Sequence, residues 1–257
     1  MSVEPFRVFE LRPRPGSSIL LHPFYPGSRV FKAEASTVQF EGLLGSGGDG
    51  AADPADLRAR LQAALDAGAK ADALDRGFAI RLAVASGAFI ILYLFLGIVI
   101  RDPVPLVDEL LVSGLGAVAS WFWLERKSLV SPAFSARLAN LRLALDRTFF
   151  RTSPAVSMME EDLEDATILE PGAFAAWLSS PARIELDARA SSDLDALCAA
   201  IEDRIYAVST LKSARALSEP SADRASLLRK LRRTAARSEL PLLLAYARAR
   251  PIAGTAK

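Results

Sequence analysis

The stretch FAIRLAVASGAFIILYLFLGIVI, residues 78–100, decides how the rest of the chain is organised. As a helix rising about 1.5 Å per residue it is about 34 Å long, enough to cross the hydrocarbon core of a membrane. Arg81 in the first turn is its one charged residue. The centre is apolar on every side, whereas a surface helix of a soluble domain keeps a polar face. We therefore predict a membrane-spanning helix, with Arg81 reaching back to the headgroups.

A second span follows after a short turn. Residues 101–105 read RDPVP, and two prolines one residue apart cannot continue a helix but suit the start of the next one. Residues 106–124 are mostly apolar and end in Trp121-Phe-Trp123, and tryptophan is enriched where a membrane meets water. We predict a transmembrane hairpin over residues 78–124, with spans at 78–100 and 106–124.

Basic residues indicate the orientation of this hairpin. The turn has one arginine with an aspartate beside it, whereas the flanks carry Lys70, Arg76, Arg126, Lys127, Arg137, Arg142, Arg147 and Arg151. Cytoplasmic segments carry an excess of such residues, so we expect both termini in the cytoplasm and the turn outside. Residues 1–30 have no apolar run followed by a cleavage site, so the first span is expected to serve as the insertion signal of a multi-pass inner-membrane protein.

Composition bounds the chemistry. The chain has 257 residues and a net charge of +1, and outside the hairpin it leaves about 200 residues, enough for one or two domains. One Cys and one His exclude a disulfide framework and a Cys/His metal cluster, and they suit a reducing cytoplasm. The sequence has no Walker motif, no G-x-G-x-x-G after a predicted strand, no G-x-S-x-G and no H-E-x-x-H. Residues 45–50 read GSGGDG and superficially resemble a phosphate loop, but no Lys-Ser/Thr follows them. We therefore predict no catalytic residues, no cofactor and no metal site.

The N-terminal segment, residues 1–44, alternates apolar and polar residues between turn signals and predicts a β meander. Pro-Gly-Ser occurs at 15–17 and again at 26–28, and Pro followed by Gly is typical of a type II turn. The predicted strands are 6–11, 18–22, 29–33 and 37–41, with 182–187 as a candidate fifth strand.

A glycine-rich linker is predicted at 45–53, followed by an amphipathic helix at 54–77 that Asp53 caps and Pro54 begins. Residues 125–250 predict a cytoplasmic, mainly helical domain. Its first helix has an apolar stripe from Phe134 to Phe149 and is expected to pack in that domain or to lie along the membrane.

Three further patterns lie in the C-terminal region. Ser192 and Asp195 form a capping-box pattern before an apolar stripe that runs from Leu194 to Leu211, which predicts one long helix. The acidic run 160–165 lacks the alternation of a calcium-binding loop, so we expect a solvated connector there. Cys198 is expected to be a buried apolar side chain and His22 a polar residue at a strand end.

Asp108 and Glu109 are the candidate intramembrane polar residues. Carboxylates at membrane depth often mark an ion pathway, and in a ring of subunits these two would line an acidic outer mouth of a pore. The alternative is structural, because acidic residues in the first turn of a helix are stabilised by its dipole.

The order of a β-rich segment, a helix, a span, an acidic turn, a second span and further helices resembles the layout of the mitochondrial calcium uniporter family. The pore signature of that family is Trp-Asp-x-x-Glu-Pro. Residues 101–109 read RDPVPLVDE, without Trp and without Glu-Pro. The similarity therefore lies in the layout, and we assign no membership.

A second candidate site is a basic helix within residues 224–237, where bases face away from a leucine stripe. No aromatic residues alternate with these bases, which argues against a nucleic-acid site, and a tethered chain brings them close to anionic lipid. The predicted lipid-headgroup contacts are Arg229, Lys230, Arg232 and Arg233.

The sequence thus predicts an α+β membrane protein without catalytic function: a membrane-tethered scaffold, adaptor or regulatory subunit. Its expected partners are membrane lipid and a protein partner, or a second copy bound through the hairpin into an oligomer. An oligomeric cation channel or transport component is the alternative, and an enzyme without a short motif is the third.

Overall fold

The structure is a computed structural model, and it divides into two compact units. Unit 1 consists of Met1–Pro23, Gln39–Arg58 and Arg147–Lys257, and unit 2 of Phe24–Val38 and Ala59–Asp146. The residues described are 5–14, 16–35, 37–46, 53–99, 106–170, 172–180, 186–204, 208–219, 223–236 and 239–254.

The chain is a mixed α+β protein with one four-stranded sheet and a mostly helical remainder. The strands are β1 Phe6–Arg14, β2 Ser17–Leu21, β3 Phe40–Leu44 and β4 Phe149–Thr152. The helices are α1 Arg29–Lys32, α2 Pro54–Val99, α3 Leu106–Leu129, α4 Pro132–Asp146, α5 Pro154–Ile168, α6 Phe174–Ser179, α7 Ala188–Arg204, α8 Val208–Leu217, α9 Arg224–Thr234 and α10 Leu240–Gly254.

The sheet is not the predicted meander. Its strand order is β2-β1-β3-β4, with β1 and β2 antiparallel but β3 parallel to both β1 and β4. The β1–β2 connection passes through Gly16, whose φ of +78° agrees with the predicted turn. Parallel neighbours need a crossover connection, and the chain between β3 and β4 contains α2, α3 and α4. The hairpin segment is therefore inserted between two adjacent strands of one sheet.

The predicted strand at 29–33 is wrong, because Arg29–Lys32 forms a single helical turn. Val30 and Phe31 are both buried, whereas consecutive residues of a strand point to opposite faces. The strand predicted at 37–41 begins only at Phe40, and β4 was missed. Of the candidate strand 182–187, residues 182–185 lie outside the described part, and Leu186 and Asp187 are not in a strand.

Unit 1 has a core built on α10, which packs against α5 and α7. Residues 242–247 of α10 are all buried, which explains why this stretch of the helix is apolar on all sides. The predicted capping box is wrong: α7 begins at Ala188, and the Asp187 carboxylate accepts the hydrogen bond of the Ala190 amide at 2.7 Å. The described residues of the long stripe lie in α7 and α8, and residues 205–207 between these helices lie outside the described part of the chain.

The acidic run is not a solvated connector. It lies in α5, where Glu160 and Asp162 are buried. Asp162 pairs with Arg248 of α10 at 3.1 Å, and the Arg248 guanidinium lies 4.7 Å from the centre of the Trp177 ring. Long-range partners therefore neutralise charges that look exposed in the sequence.

Unit 2 is held together where α2 passes the turn Tyr25–Ser28. Gly27 has a φ of +78°, and its amide donates to Asp72 of α2 at 2.9 Å. At Gly68 of α2 the backbone of Phe24 lies so close that a Cβ would overlap its carbonyl oxygen.

The helix α4 has Leu141 and Leu145 buried, and Arg142 donates to Asp66 of α2 at 2.9 Å. These contacts favour the packed interpretation of α4. The predicted stripe does not extend to Phe149, which is 71% exposed and begins β4.

Both α2 and α3 are long and apolar enough to cross a membrane, which by length and composition alone is weak evidence for a membrane hairpin. Only 11% of the most apolar stretch of α2 and 6% of that of α3 are buried. The helix α2 is continuous from Pro54 to Val99, so the predicted helix 54–77 and the first predicted span form one element.

We predict that Gly68→Ala destabilises the protein by about 1–3 kcal/mol, since the overlap with the Phe24 carbonyl outweighs the gain in helix propensity. Gly87→Ala is the matched control in the same helix, because a Cβ there meets nothing within 4 Å. The measurement is thermal unfolding of both variants in detergent, followed by tryptophan fluorescence. Equal melting temperatures for the two variants would contradict the contact.

Candidate functional site

The two candidate intramembrane acids lie in the first turn of α3. Asp108 is exposed, whereas Glu109 is half-buried and its carboxylate lies 3.8 Å from where a Cβ at Gly97 of α2 would be. Glu109 thus lies against the neighbouring helix of its own chain. Both acids occupy the helix end that the dipole favours for negative charge. The preceding turn, residues 101–105, lies outside the described part of the chain.

Further along the hairpin, α2 and α3 contact each other through small residues. The Leu92 side chain lies directly on Gly116, so that a Cβ at Gly116 would overlap it. Ser113 is fully buried, and among the described residues its hydroxyl has no hydrogen-bond partner. Close approach at small residues is a common packing mode of membrane helices.

The opposite end of the hairpin carries cations on aromatic rings. Arg81 is buried, its Nη2 donates to the Leu74 carbonyl, and its guanidinium lies 5.2 Å from the centre of the Trp121 ring. Phe78 meets the same ring edge-on at 5.6 Å. Lys127 lies 5.0 Å from the centre of the Trp123 ring. The Arg81 side chain turns toward the N-terminal end of α2, and its contact with headgroups stays a prediction.

The helix α9 presents the predicted basic surface. Its cap is Asp223, which accepts from the Ser226 amide at 3.3 Å, and its Leu228 and Leu231 are buried in unit 1. The side chains of Arg229, Lys230, Arg232 and Arg233 are all exposed. Arg232 also lies 5.3 Å from the centre of the Phe174 ring. Whether these cations bind lipid stays a prediction.

Unit 1 contains a buried charge network that the sequence did not predict. Arg151 of β4 donates two hydrogen bonds to Asp193 of α7, both at 2.7 Å, and a third to Glu41 of β3 at 2.6 Å. Ser153 also donates to Asp193 at 2.7 Å. Burial raises the pKa of Asp193, but these hydrogen bonds outweigh it and the pKa is lowered. The carboxylate is therefore held as an anion that joins β4 to α7.

A second network surrounds Glu202 of α7, which pairs with Arg215 and accepts a hydrogen bond from the Tyr246 hydroxyl. Burial, together with the bond to Glu202, raises the pKa of Tyr246 to about 12. Each carboxylate oxygen of Glu202 and the Tyr246 hydroxyl are bound by neighbouring side chains, so this network is more typical of a structural contact than of a reaction site.

Among the described residues no group of three or more His, Cys, Asp or Glu side chains could hold a metal ion. Cys198 is buried as predicted, and burial raises the pKa of its thiol to about 12. His22 directly follows β2, and burial and the nearby Arg204 lower its pKa.

No protein-family model, no curated protein and no solved structure matches this chain.

Glu160 gives unit 1 a pH dependence. Its carboxylate is buried, lies against Gly45 and accepts a hydrogen bond from the Arg12 amide at 2.7 Å. Burial raises its pKa from the ordinary 4.5 to about 7. Because the folded protein holds the Glu160 proton more tightly than the unfolded chain does, this proton contributes to stability. The contribution is complete below pH 4.5 and is lost as the pH rises through about 7.

We predict that Glu160→Gln melts about 5 °C higher than the wild type at pH 8 and loses part of the wild-type decline between pH 5 and pH 8. The amide is neutral at both pH values and keeps an oxygen for the Arg12 amide. The exposed neighbour gives the matched control, Glu161→Gln, which should keep the wild-type pH profile. Parallel profiles for all three proteins would disprove the role of Glu160.

Proposed function

We propose that this chain is an integral membrane protein in which α2 and α3 form a two-helix hairpin and unit 1 is a membrane-tethered, non-catalytic scaffold, adaptor or regulatory module. The observation that carries the proposal is the exposure of large apolar side chains along both helices. A soluble protein rarely exposes so continuous an apolar surface, and a core helix would bury it. The side chains include Ile80, Ile91, Leu94, Phe95, Ile98, Leu111, Leu115, Val118 and Phe122, each at least 53% exposed.

The sheet supports placing both termini on one side of the membrane. The strands β3 and β4 pair over Glu41–Leu44 and Phe149–Thr152, so the inserted segment leaves and re-enters the same folded domain. A chain that starts and ends in one domain must cross a membrane an even number of times. The excess of Lys and Arg on the flanks of the hairpin favours the cytoplasm for that domain, and an inner membrane for the protein.

The adaptor role rests on how unit 1 uses its charged groups. The charged side chains around Arg151 and Glu202 bind one another, which stabilises the fold but presents no reactive group. The exposed basic face of α9 is accessible to an anionic partner, and the cytoplasmic surface of a membrane is anionic. Membrane lipid and a protein partner are therefore the proposed ligands.

The topology predicts which cysteine variants are labelled from outside. A membrane-impermeant maleimide should label Val104→Cys in intact spheroplasts and Lys230→Cys only after lysis, because the first lies in the predicted turn and the second on the cytoplasmic face of α9. The wild type is the negative control. Its one native cysteine, Cys198, is buried, and the raised pKa of the thiol keeps the population of the reactive thiolate low.

Two results would disprove this topology. One is labelling of Lys230→Cys in intact spheroplasts, and the other is release of the protein from membranes by alkaline carbonate. The two variants share one background and one reagent, so a difference between them reports on the side of the membrane.

A second candidate function is an oligomeric cation channel or transport component. It is favoured by the exposed Asp108 carboxylate at the start of α3, beside the half-buried Glu109. A ring of subunits would bring such carboxylates together at the outer mouth.

The channel proposal predicts that Asp108→Asn combined with Glu109→Gln abolishes cation flux into proteoliposomes, because the carboxylates attract the ion. Subunit counting in lipid nanodiscs comes first, and a closed ring of four or more copies is required. A monomer or dimer, or unchanged flux in the double variant, would exclude this function and leave the adaptor.

A further inference from the structure

Unit 2 contains a cavity of about 220 Å³ at the base of the hairpin. Its wall is formed by α1, by α2 before the apolar stretch, by the end of α3 and by α4 up to Leu141. One part of the wall is apolar and includes Phe31, Phe134, Leu138 and Leu141. The other part carries Asp72, Arg76 and Arg137, so the cavity joins an apolar side to a charged one.

The two guanidinium groups in this wall converge on one atom. Nη2 of Arg76 and Nη2 of Arg137 both donate to the carbonyl oxygen of Phe31, and Arg137 also donates to the Ala33 carbonyl at 3.0 Å. Two cations that meet at one neutral oxygen repel each other. An anion placed between them would offset this repulsion.

The one carboxylate in the wall does not neutralise both cations. Asp72 lies 2.7 Å from Nη2 of Arg76, and its other oxygen already accepts from the Gly27 amide. Two positive groups against one negative group leave the wall with a charge of +1. The cavity therefore has an excess of positive charge and no second acid to balance it in the described wall.

Much of the donor capacity of the two arginines is unused. A guanidinium carries five N–H donors, and among the described residues the hydrogen bonds of Arg76 and Arg137 all run through Nη2. The Nε and Nη1 groups keep N–H donors that can each form a single hydrogen bond to a phosphate oxygen, whereas both N–H groups of each Nη2 are already in use. Ser128 and Ser131 add hydroxyl groups to the same wall.

The size of the cavity limits the ligand. Drug-sized pockets measure about 300–1,000 Å³, and 220 Å³ equals about seven waters at roughly 30 Å³ each. A phosphate with a glycerol unit is of this size. Its hydroxyls can donate to the Asp72 carboxylate, which has lone pairs beyond those already in use. The apolar side of the wall suits the start of an acyl chain.

We propose that this cavity binds the phosphate of a glycerophosphate-type anion, presented either by the headgroup of a phospholipid or as a free phosphate ester. The lipid source rests on the proposed membrane function, whereas binding of the free ester does not. The two sources share the recognition chemistry of Arg76 and Arg137 and differ in what occupies the apolar side.

The test measures the melting temperature of the full chain in neutral detergent with added glycerol 3-phosphate or phosphatidylglycerol. Glycerol and diacylglycerol are the reference ligands, since they lack the phosphate. We expect at least one of the two anions to raise the melting temperature. We expect Arg76→Gln to weaken the binding of that anion at least tenfold. Arg126→Gln removes the same charge from the exposed end of α3, outside the cavity wall, and should bind like the wild type.

A second variant separates binding from folding, since the contacts of Arg76 to Asp72 and Phe31 also stabilise unit 2. Ala73→Leu keeps both arginines and occupies part of the cavity, because Ala73 lies in its wall. It should abolish the response to the anion while its own melting temperature stays at or above that of the wild type.

Each outcome decides the proposal. A response to phosphatidylglycerol alone identifies a lipid headgroup, and a response to glycerol 3-phosphate identifies the free ester; either supports the site. Absence of both responses, an equal response to glycerol or diacylglycerol, or wild-type binding by Ala73→Leu would overturn it. Binding of glycerol 3-phosphate by a chain that fails the topology test would retain the cavity and discard the membrane function.

Discussion

The parallel pairing of β3 with β4 is the constraint on which the rest of the structure depends. It pairs Glu41 with Phe149 and Leu44 with Thr152, so the long inserted segment leaves β3 at Leu44 and returns at the opposite end of the strand pair, at Phe149. A parallel pair cannot be closed by a tight turn, and here the crossover is the whole segment that contains the apolar helices. Both strands that flank the insertion therefore belong to one sheet of unit 1.

The charge network at Arg151 explains how such a short edge strand keeps its place. β4 has four residues, and Phe149 at its start is 71% exposed, so apolar burial alone contributes little at that edge. Arg151 offsets this with bonds to Glu41 on the neighbouring strand and to Asp193 on α7. Removing one partner of such a network leaves a buried charge unpaired, which costs more free energy than the pair itself contributes. The strands β3 and β4, which flank the insertion, are thus joined by an ion pair as well as by backbone hydrogen bonds.

The sequence predicted local features better than it predicted pairings. The two long apolar helices, the helix start at Asp53-Pro54 and the turn glycines at 16 and 27 follow from composition and residue preference within a few positions. The parallel register of β3 does not, because it depends on a partner strand that lies beyond the hairpin. Phe149 continued the helical spacing of α4, so periodicity placed it in a helix that ends at Asp146.

Charged residues were the least predictable part of the candidate sites. The acidic run around Glu160 and Asp162 looks solvated until Arg12 and Arg248 are brought against it, and neither is near it in sequence. Arg151 counted among the bases that flank the hairpin, although the fold uses it inside unit 1. Asp108, Glu109 and the basic residues of α9 lie on helices as predicted, but position on a helix does not determine a role. Burial and partner geometry decide which charge is structural, and both are properties of tertiary contact.

The misplaced strand at residues 29–33 and the cavity of unit 2 have the same physical cause. In a sheet the carbonyl of Phe31 would be bound by a neighbouring strand, whereas here it accepts from Arg76 and Arg137. The pattern of Val30 and Phe31 was compatible with a strand because a single apolar pair does not distinguish a helical turn from an extended one. Two arginines from α2 and α4 determine the outcome by supplying donors that a sheet would otherwise provide. The same two side chains then bring excess positive charge into a small cavity, so the departure from the predicted strand is also what creates an anion-binding geometry.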